Sequence, residues 1–425
     1  MKKVVMILTV LLLSMSVFAG GIRVKSMGGI YSLIESTNYA DFPQRLLTGG
    51  ELACIGAKGT AGEWGLVRMK LNNFLNLPIP IAWQIKADFD MVTIQDLYDD
   101  VNMPGYMQVP ASSYDESSQR INSIFAFGLS EELIAGVSIQ LYSNSLDFDG
   151  EVFGDETIYD HSFWGLKTVW GATMMLGGDD FVDFGLLFDT WSWDVSRTVA
   201  GDDIYATDYS QCDGIMKFGL NARYYNTGTK VDYAPYMKVD MFSFSATRGG
   251  DENGDPYTAE RTDTYDGSVL NFVLGSGVHY KPVEGVKVYN EFEFAYNSVS
   301  TTVEFNGDKT EDTENAMTLL PTYRFGVEIT KVIDPKTWWG FEQVQLWGGF
   351  NKTFYDVWGQ DERIVGAGVV TDLYTDSTWE VVNVTTGAAL SSGNFKFEFT
   401  TNLNNLAFDD TALNNVEMAL DYYFK

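Results

Sequence analysis

Only two histidines, His161 and His279, stand in a chain of 425 residues, and they fall in different strand-like segments. Neither Gly-x-Ser-x-Gly nor His-Glu-x-x-His occurs, so the usual serine-hydrolase and zinc-protease constellations are missing. His161 beside Ser162 reads as an ordinary pair at a strand end, and no enzyme is expected. A surface hydrolase would need the fold to bring one histidine against a serine. Cys54 and Cys212 are the only cysteines; an oxidising compartment permits a bridge between them without requiring it. Past Gly20 no uninterrupted apolar run reaches the roughly 18 residues that a membrane helix needs. There is no Pro-, Ser- or Gly-rich hinge, so no linker divides the chain. Basic residues number 28 against 58 acidic ones. That balance supplies no basic patch for phosphate, and nucleic acid is excluded as a partner.

What is present starts with MKKVVMILTVLLLSMSVFAGG. Two lysines, an apolar run from Val4 to Leu13 and Val17-Phe18-Ala19 make residues 1–19 a secretory signal peptide. No cysteine follows the cut, which argues against a lipoprotein anchor. The rest alternates with a period of two. Phe395, Phe397 and Phe399 interleave with Lys396, Glu398 and Thr400; Ile81, Trp83, Ile85, Ala87 and Phe89 with Gln84, Lys86 and Asp88; Met216, Phe218, Leu220 and Ala222 with Lys217, Asn221 and Arg223. In extended chain each such segment has one apolar and one polar face.

Two sheets of a soluble sandwich would also accept strands of this kind. The connections decide, because short turns alternate with long polar segments. Short ones fall at Ser130-Glu131-Glu132, Gly177-Gly178-Asp179, Asn226 to Thr229, Pro282 to Gly285, Ile333-Asp334-Pro335 and Ser391-Ser392-Gly393. Long ones fall at roughly 96–119, 147–160, 197–211, 247–265, 304–315, 356–379 and 404–414. Short turns on one rim and long loops on the other describe an all-β, closed antiparallel transmembrane barrel. Seven long loops give fourteen strands, and a hairpin over about 48–57 and 63–72 raises the count to sixteen; both are even. Phe395, Phe397 and Phe399 then face lipid, and Lys396 and Glu398 face a watery lumen.

The last strand, with Val416, Met418, Leu420, Tyr422 and Phe424 on one face, resembles the C-terminal signal of outer-membrane barrels. Lys425 follows the aromatic, and the strand has no glycine. The resemblance implies an outer-membrane location and recognition by the barrel-assembly machinery. Near the other end, Met27-Gly28-Gly29, Glu35 with Asn38, and Phe42-Pro43-Gln44 resemble the N-terminal region of the long-chain fatty-acid transporter type of barrel, with Phe-Pro-Gln in place of Asn-Pro-Ala. That likeness implies that residues 20–47 form a hatch inside a barrel built from 48–425.

The inward face carries both signs: Lys86, Asp88, Asp90, Lys217, Arg223, Lys238, Asp240, Glu291, Glu293, Arg324, Glu328, Lys396 and Glu398. They line a conducting path or pair across strands and stabilise the wall. Asp147, Asp149, Glu151, Asp155, Glu156 and Asp160 gather at a mouth without one lysine or arginine, where they would enrich cations. Asp251, Asn253 and Asp255 have the first spacings of a calcium loop, but Pro256 takes the turn-glycine position and Thr262 the twelfth. Calcium would be held loosely there, and no other cofactor is expected. The sequence thus predicts an outer-membrane channel or facilitated-uptake barrel for small solutes, with cation preference and lipid around it. A non-conducting surface-interaction barrel and a transporter of hydrophobic compounds are the alternatives. Self-association is left open.

Overall fold

Residues that alternate between apolar and polar form strands whenever one face meets a low-dielectric medium, and the computed structural model of the chain is built from such strands. It describes residues 31–32, 39–58, 63–75, 77–89, 117–152, 155–200, 205–250, 261–305, 308–337, 340–353, 357–365, 368–376, 382–402 and 416–424. The signal peptide, Met27-Gly28-Gly29, Glu35, Asn38, Asp90 and the Asp251, Asn253, Asp255 set lie outside the described residues.

In chain order the strands are β1 (Leu52–Lys58), β2 (Glu63–Lys70), β3 (Ile81–Phe89), β4 (Ser117–Gly128), β5 (Leu133–Val152), β6 (Asp155–Gly177), β7 (Asp180–Ala200), β8 (Tyr205–Tyr225) and β9 (Val231–Gly250). There follow β10 (Arg261–Val283), β11 (Val286–Phe305), β12 (Asp308–Val332), β13 (Gln343–Thr353), β14 (Val357–Val365), β15 (Gly368–Asp376), β16 (Asn383–Ser392), β17 (Phe395–Asn402) and β18 (Val416–Tyr423). Sixteen of them form one closed antiparallel barrel in the order β1-β18-β17-β16-β13-β12 and so on, in sequence, down to β2. β18 pairs with β1 from Leu52↔Tyr423 to Lys58↔Glu417, so the last strand hydrogen-bonds to the first and presents no open edge of its own to lipid. β14 and β15 pair only with each other, as a hairpin between β13 and β16.

The outer face is apolar. Phe395, Phe397 and Phe399 are 52, 40 and 40 % exposed, while Glu398 between them and Thr400 after them are buried. Phe184, Leu186, Phe218, Met241, Phe292, Phe294, Met418 and Leu420 repeat this around the wall. The short connections are tight. Gly178 at the β6–β7 turn and Gly393 at the β16–β17 turn have φ of 62° and 58°, a left-handed conformation that favours glycine.

The long connections differ from the sequence expectation. Segments 147–160, 197–211 and 304–315 are largely strand: β5 and β6 pair through Val152↔Asp155, β7 and β8 through Ala200↔Tyr205, and β11 and β12 through Phe305↔Asp308. Segment 247–265 shrinks to 251–260 between β9 and β10, and 356–379 contains the β14–β15 hairpin. Beyond the apolar band the outward side chains become polar, so the face contrast that marks a strand disappears. Backbone pairing does not depend on that contrast and continues.

Tyr31, Ser32 and residues 39–49 lie inside the barrel. They touch β5, β6, β7, β9, β10 and β11 on the face that carries the buried residues, opposite exposed Phe184 and Leu186. A short 3-10 turn, Pro43–Thr48, opens on a proline where no backbone donor is needed and closes with Thr48 Oγ1 donating to the Arg45 carbonyl. Its bed is a row of glycines. Gly136, Gly171 and Gly185 are cross-strand partners on β5, β6 and β7, and a Cβ on any of them would meet Pro43, Gln44 or the Asp41 carbonyl. The wall is thus indented where the segment crosses it.

Candidate functional site

The lumen is ordered in rows along the ladder. One row in the half toward the short-turn rim runs Thr173–Asp183–Arg223–Tyr236–Gly275–Glu293 across β6 to β11. Asp183 is fully buried and is the hub. It accepts from Arg45 Nε at 2.8 Å, from Arg223 Nη2 at 2.8 Å and from Thr173 Oγ1 at 2.6 Å. Each guanidinium also covers a ring, Arg45 over Phe181 and Arg223 over Phe42 of the inner segment, with Cζ 4.4 Å from the second centroid. Wall and inner segment therefore exchange one arginine and one aromatic each around a single carboxylate.

A second anchor holds Tyr31 and Ser32. Their backbone N–H groups donate to Glu291 Oε1 at 3.0 Å and Oε2 at 2.7 Å, and Arg324 bridges Glu291 at 2.8 Å and Glu293 at 2.9 Å. Tyr31 packs on Tyr236 with ring centroids 4.8 Å apart and donates to Asp41, which pairs with Lys238. Ser32 Oγ lies 2.9 Å from His279 Nε2; His279 Nδ1 lies 3.3 Å from the Tyr225 hydroxyl, which reaches Asp232 at 3.5 Å. A serine and a histidine are thus brought together, as a hydrolase would require. The Ser32 N–H that could stabilise an oxyanion is engaged by the Glu291 carboxylate, and the serine is fully buried. The geometry is that of a tether.

Higher in the barrel the rows change character. Gln140–Lys167–Asp189–Lys217 alternates charge across β5 to β8, and Lys217 reaches Asp240 at 3.7 Å. Above it come Tyr142–Gly165–Trp191–Ile215 and Asn144–Phe163–Trp193–Cys212. With Phe242, Phe244 and Val269 of β9 and β10 they form an inward-facing apolar layer on the long-loop side of the inner segment.

Of the other residues singled out in the sequence, Glu328 accepts from Tyr289 at 3.0 Å, and Lys396 pairs with Glu398. Lys86 is half-buried on the inward face of β3, and the Asp88 side chain lies outside the described residues. Asp147, Asp149, Glu151, Asp155, Glu156 and Asp160 stand on β5 and β6, with Asp147 opposite Asp160 and Glu151 opposite Glu156. His161 is in β6, not beside His279. Cys54 and Cys212 are both buried and are not joined in a disulfide; Cys54 donates to Asp421 at 2.8 Å, and Cys212 sits opposite Trp193. The hub residues Arg45, Asp183, His279 and Asp232 were not among the sequence candidates for the lumen.

A closed sixteen-stranded barrel with an apolar outside and a polar, charge-paired inside has the architecture of a transmembrane β-barrel, the form in which proteins of bacterial outer membranes span their bilayer. No protein-family model matches the chain, and no curated protein matches it in sequence. Among solved structures it is similar to the Ralstonia pickettii toluene transporter TbuX, with 11 % identity over 95 % of this chain and 98 % of that one at a TM-score of 0.45. It is also similar to the ferric yersiniabactin uptake receptor FyuA of Yersinia pestis, with 11 % identity and a TM-score of 0.46 over 83 % of this chain, and spans 53 % of that receptor. The copper transporter OprC matches at 9 % identity over 83 % of this chain and 61 % of its own, with a TM-score of 0.39.

Proposed function

We propose that this protein is an outer-membrane uptake barrel, closed at rest by its N-terminal segment, that admits small apolar solutes from the long-loop side. The supporting observation is the inward layer of Trp191, Trp193, Phe163, Phe242, Phe244 and Val269 above the inner segment. A water-filled pore has no use for tryptophan and phenylalanine on its inner wall, whereas an apolar solute leaving water would gain about 25 cal/mol for each Å² it buries there. The lumenal charges are largely committed to one another, as in Lys217–Asp240, Arg223–Asp183 and Arg324–Glu291. They hold the wall and the inner segment, and the apolar layer does the recognising.

The test is uptake of a radiolabelled aromatic hydrocarbon and of a neutral sugar by cells with and without the protein. Faster hydrocarbon uptake, reduced several-fold by Trp191→Asp with Phe242→Asp, is the expected result. Sugar uptake that rises equally would instead support the second reading, a general channel with cation preference. That reading rests on the six acids of β5 and β6 at the long-loop end.

A further inference from the structure

The outer wall holds one feature that solute passage does not use. On β8 to β11 two neighbouring outward rows run in register: Phe218–Met241–Leu270–Ser298, and directly above it Met216–Ser243–Ser268–Ser300. Below them lies Leu220–Val239–Phe272–Tyr296, and above them Ser245–Asp266–Thr302. The outward face thus passes from hydrocarbon to hydroxyl to charge within four rows. Small serines between large Met216, Phe218, Met241 and Leu270 leave an outward groove of about 590 Å³, whose described lining is uncharged. Its floor includes Phe242 and Val269, whose side chains are buried on the inward face, and the β8–β9 ladder beneath it is continuous from Met216↔Ser243 to Arg223↔Tyr236 and irregular just above, between Gln211 and Met216.

We infer that this groove binds one acylated lipid of the outer leaflet. Its apolar row takes acyl chain, and its serine hydroxyls donate to the ester or amide carbonyls that join chain to headgroup. Three observations select this occupant. The groove lies on the face exposed to lipid, with Met216, Met241 and Phe218 each more than half exposed. It sits where apolar side chains give way to polar ones, the level at which carbonyls of a bilayer lie. Its polar groups are neutral hydroxyls, suited to a carbonyl and not to a phosphate, which would call for lysine or arginine. The inference rests on the membrane location and is independent of the transported solute.

Native mass spectrometry of the full protein, purified in mild detergent from outer membranes, should show a barrel retaining one acylated lipid. Ser268→Phe fills the depression and should lower the lipid-bound fraction about tenfold, the weight of one or two neutral hydrogen bonds. The triple change Ser243→Ala, Ser268→Ala, Ser300→Ala removes only hydroxyls and should lower it by a smaller factor. Leu420→Phe on distant β18 should leave it unchanged, and the heat-modifiable mobility of each variant reports folding. Folded wild-type protein recovered in the outer-membrane fraction without lipid would overturn the groove and leave the membrane reading intact. Equal retention by folded Ser268→Phe would overturn it as well. Loss of a dimer in place of a lipid-bound species would assign the groove to a second copy of the chain.

Discussion

At the scale of the residue, Asp183 has the most to lose. It is fully buried between Arg45 and Arg223. A buried ion pair contributes little net stability because desolvation offsets attraction, but removing one partner leaves buried charge without compensation. Asp183→Asn should therefore cost about 3–5 kcal/mol, seen as a lower unfolding midpoint in detergent. Adding Arg45→Met and Arg223→Met should recover much of the loss. An unchanged midpoint in the single variant would mean that the carboxylate does not hold the two arginines. Asp183 was hard to find in the sequence for a physical reason. The inward face of β7 runs Phe181, Asp183, Gly185, Leu187, Asp189, Trp191, Trp193, so in this strand both faces look apolar. Alternation identifies a lumen only where the lumen is wet, as in β17 with Lys396 and Glu398. Its partner Arg45 is 138 residues away, beyond the reach of any local pattern.

At the scale of the element, the glycine row sets how closely the inner segment approaches the wall. Gly171 carries no side chain where Gln44 and Pro43 press on β6, and Gln44 Nε2 donates to the neighbouring Ala172 carbonyl. Gly171→Leu should leave the barrel ladder intact and displace Pro43–Thr48. The expected result is steady current in a planar bilayer from a variant whose heat-modifiable mobility is native. A silent, folded variant would show that the segment tolerates the added volume or does not block the path. The strands themselves were legible, since the facing of Phe395, Phe397 and Phe399 follows from alternation alone. Phe397→Arg puts a charge into lipid at a cost of about 2–4 kcal/mol and should reduce the folded fraction recovered from membranes. Glu398→Arg is not a neutral counterpart. Glu398 is buried beside Lys396, so a second cation there should destabilise the wall at β17 after insertion, lowering the unfolding midpoint without reducing insertion.

At the scale of the whole molecule, a net charge of −30 is unevenly placed. In the described lumen Asp183, Asp232, Asp240, Glu291, Glu293 and Glu398 each pair with a lysine or arginine, whereas the β5–β6 hairpin sets Asp147 opposite Asp160 and Glu151 opposite Glu156 with no basic residue in the stretch. A stretch of fixed negative charge without a basic residue enriches cations within about a Debye length, roughly 8–10 Å at physiological salt. In the intact protein the inner segment would mask any consequence for permeation. The measurement belongs on a barrel from which residues 20–47 have been removed. That variant should conduct, and its reversal potential across a salt gradient should show cation preference at low ionic strength that fades at molar salt. Neutralising Asp147, Asp149, Glu151, Asp155, Glu156 and Asp160 together should reduce the preference without reducing the amount of folded barrel. A pore that prefers anions, or ignores all six substitutions, would place selectivity on inward cations such as Lys217 and Arg324.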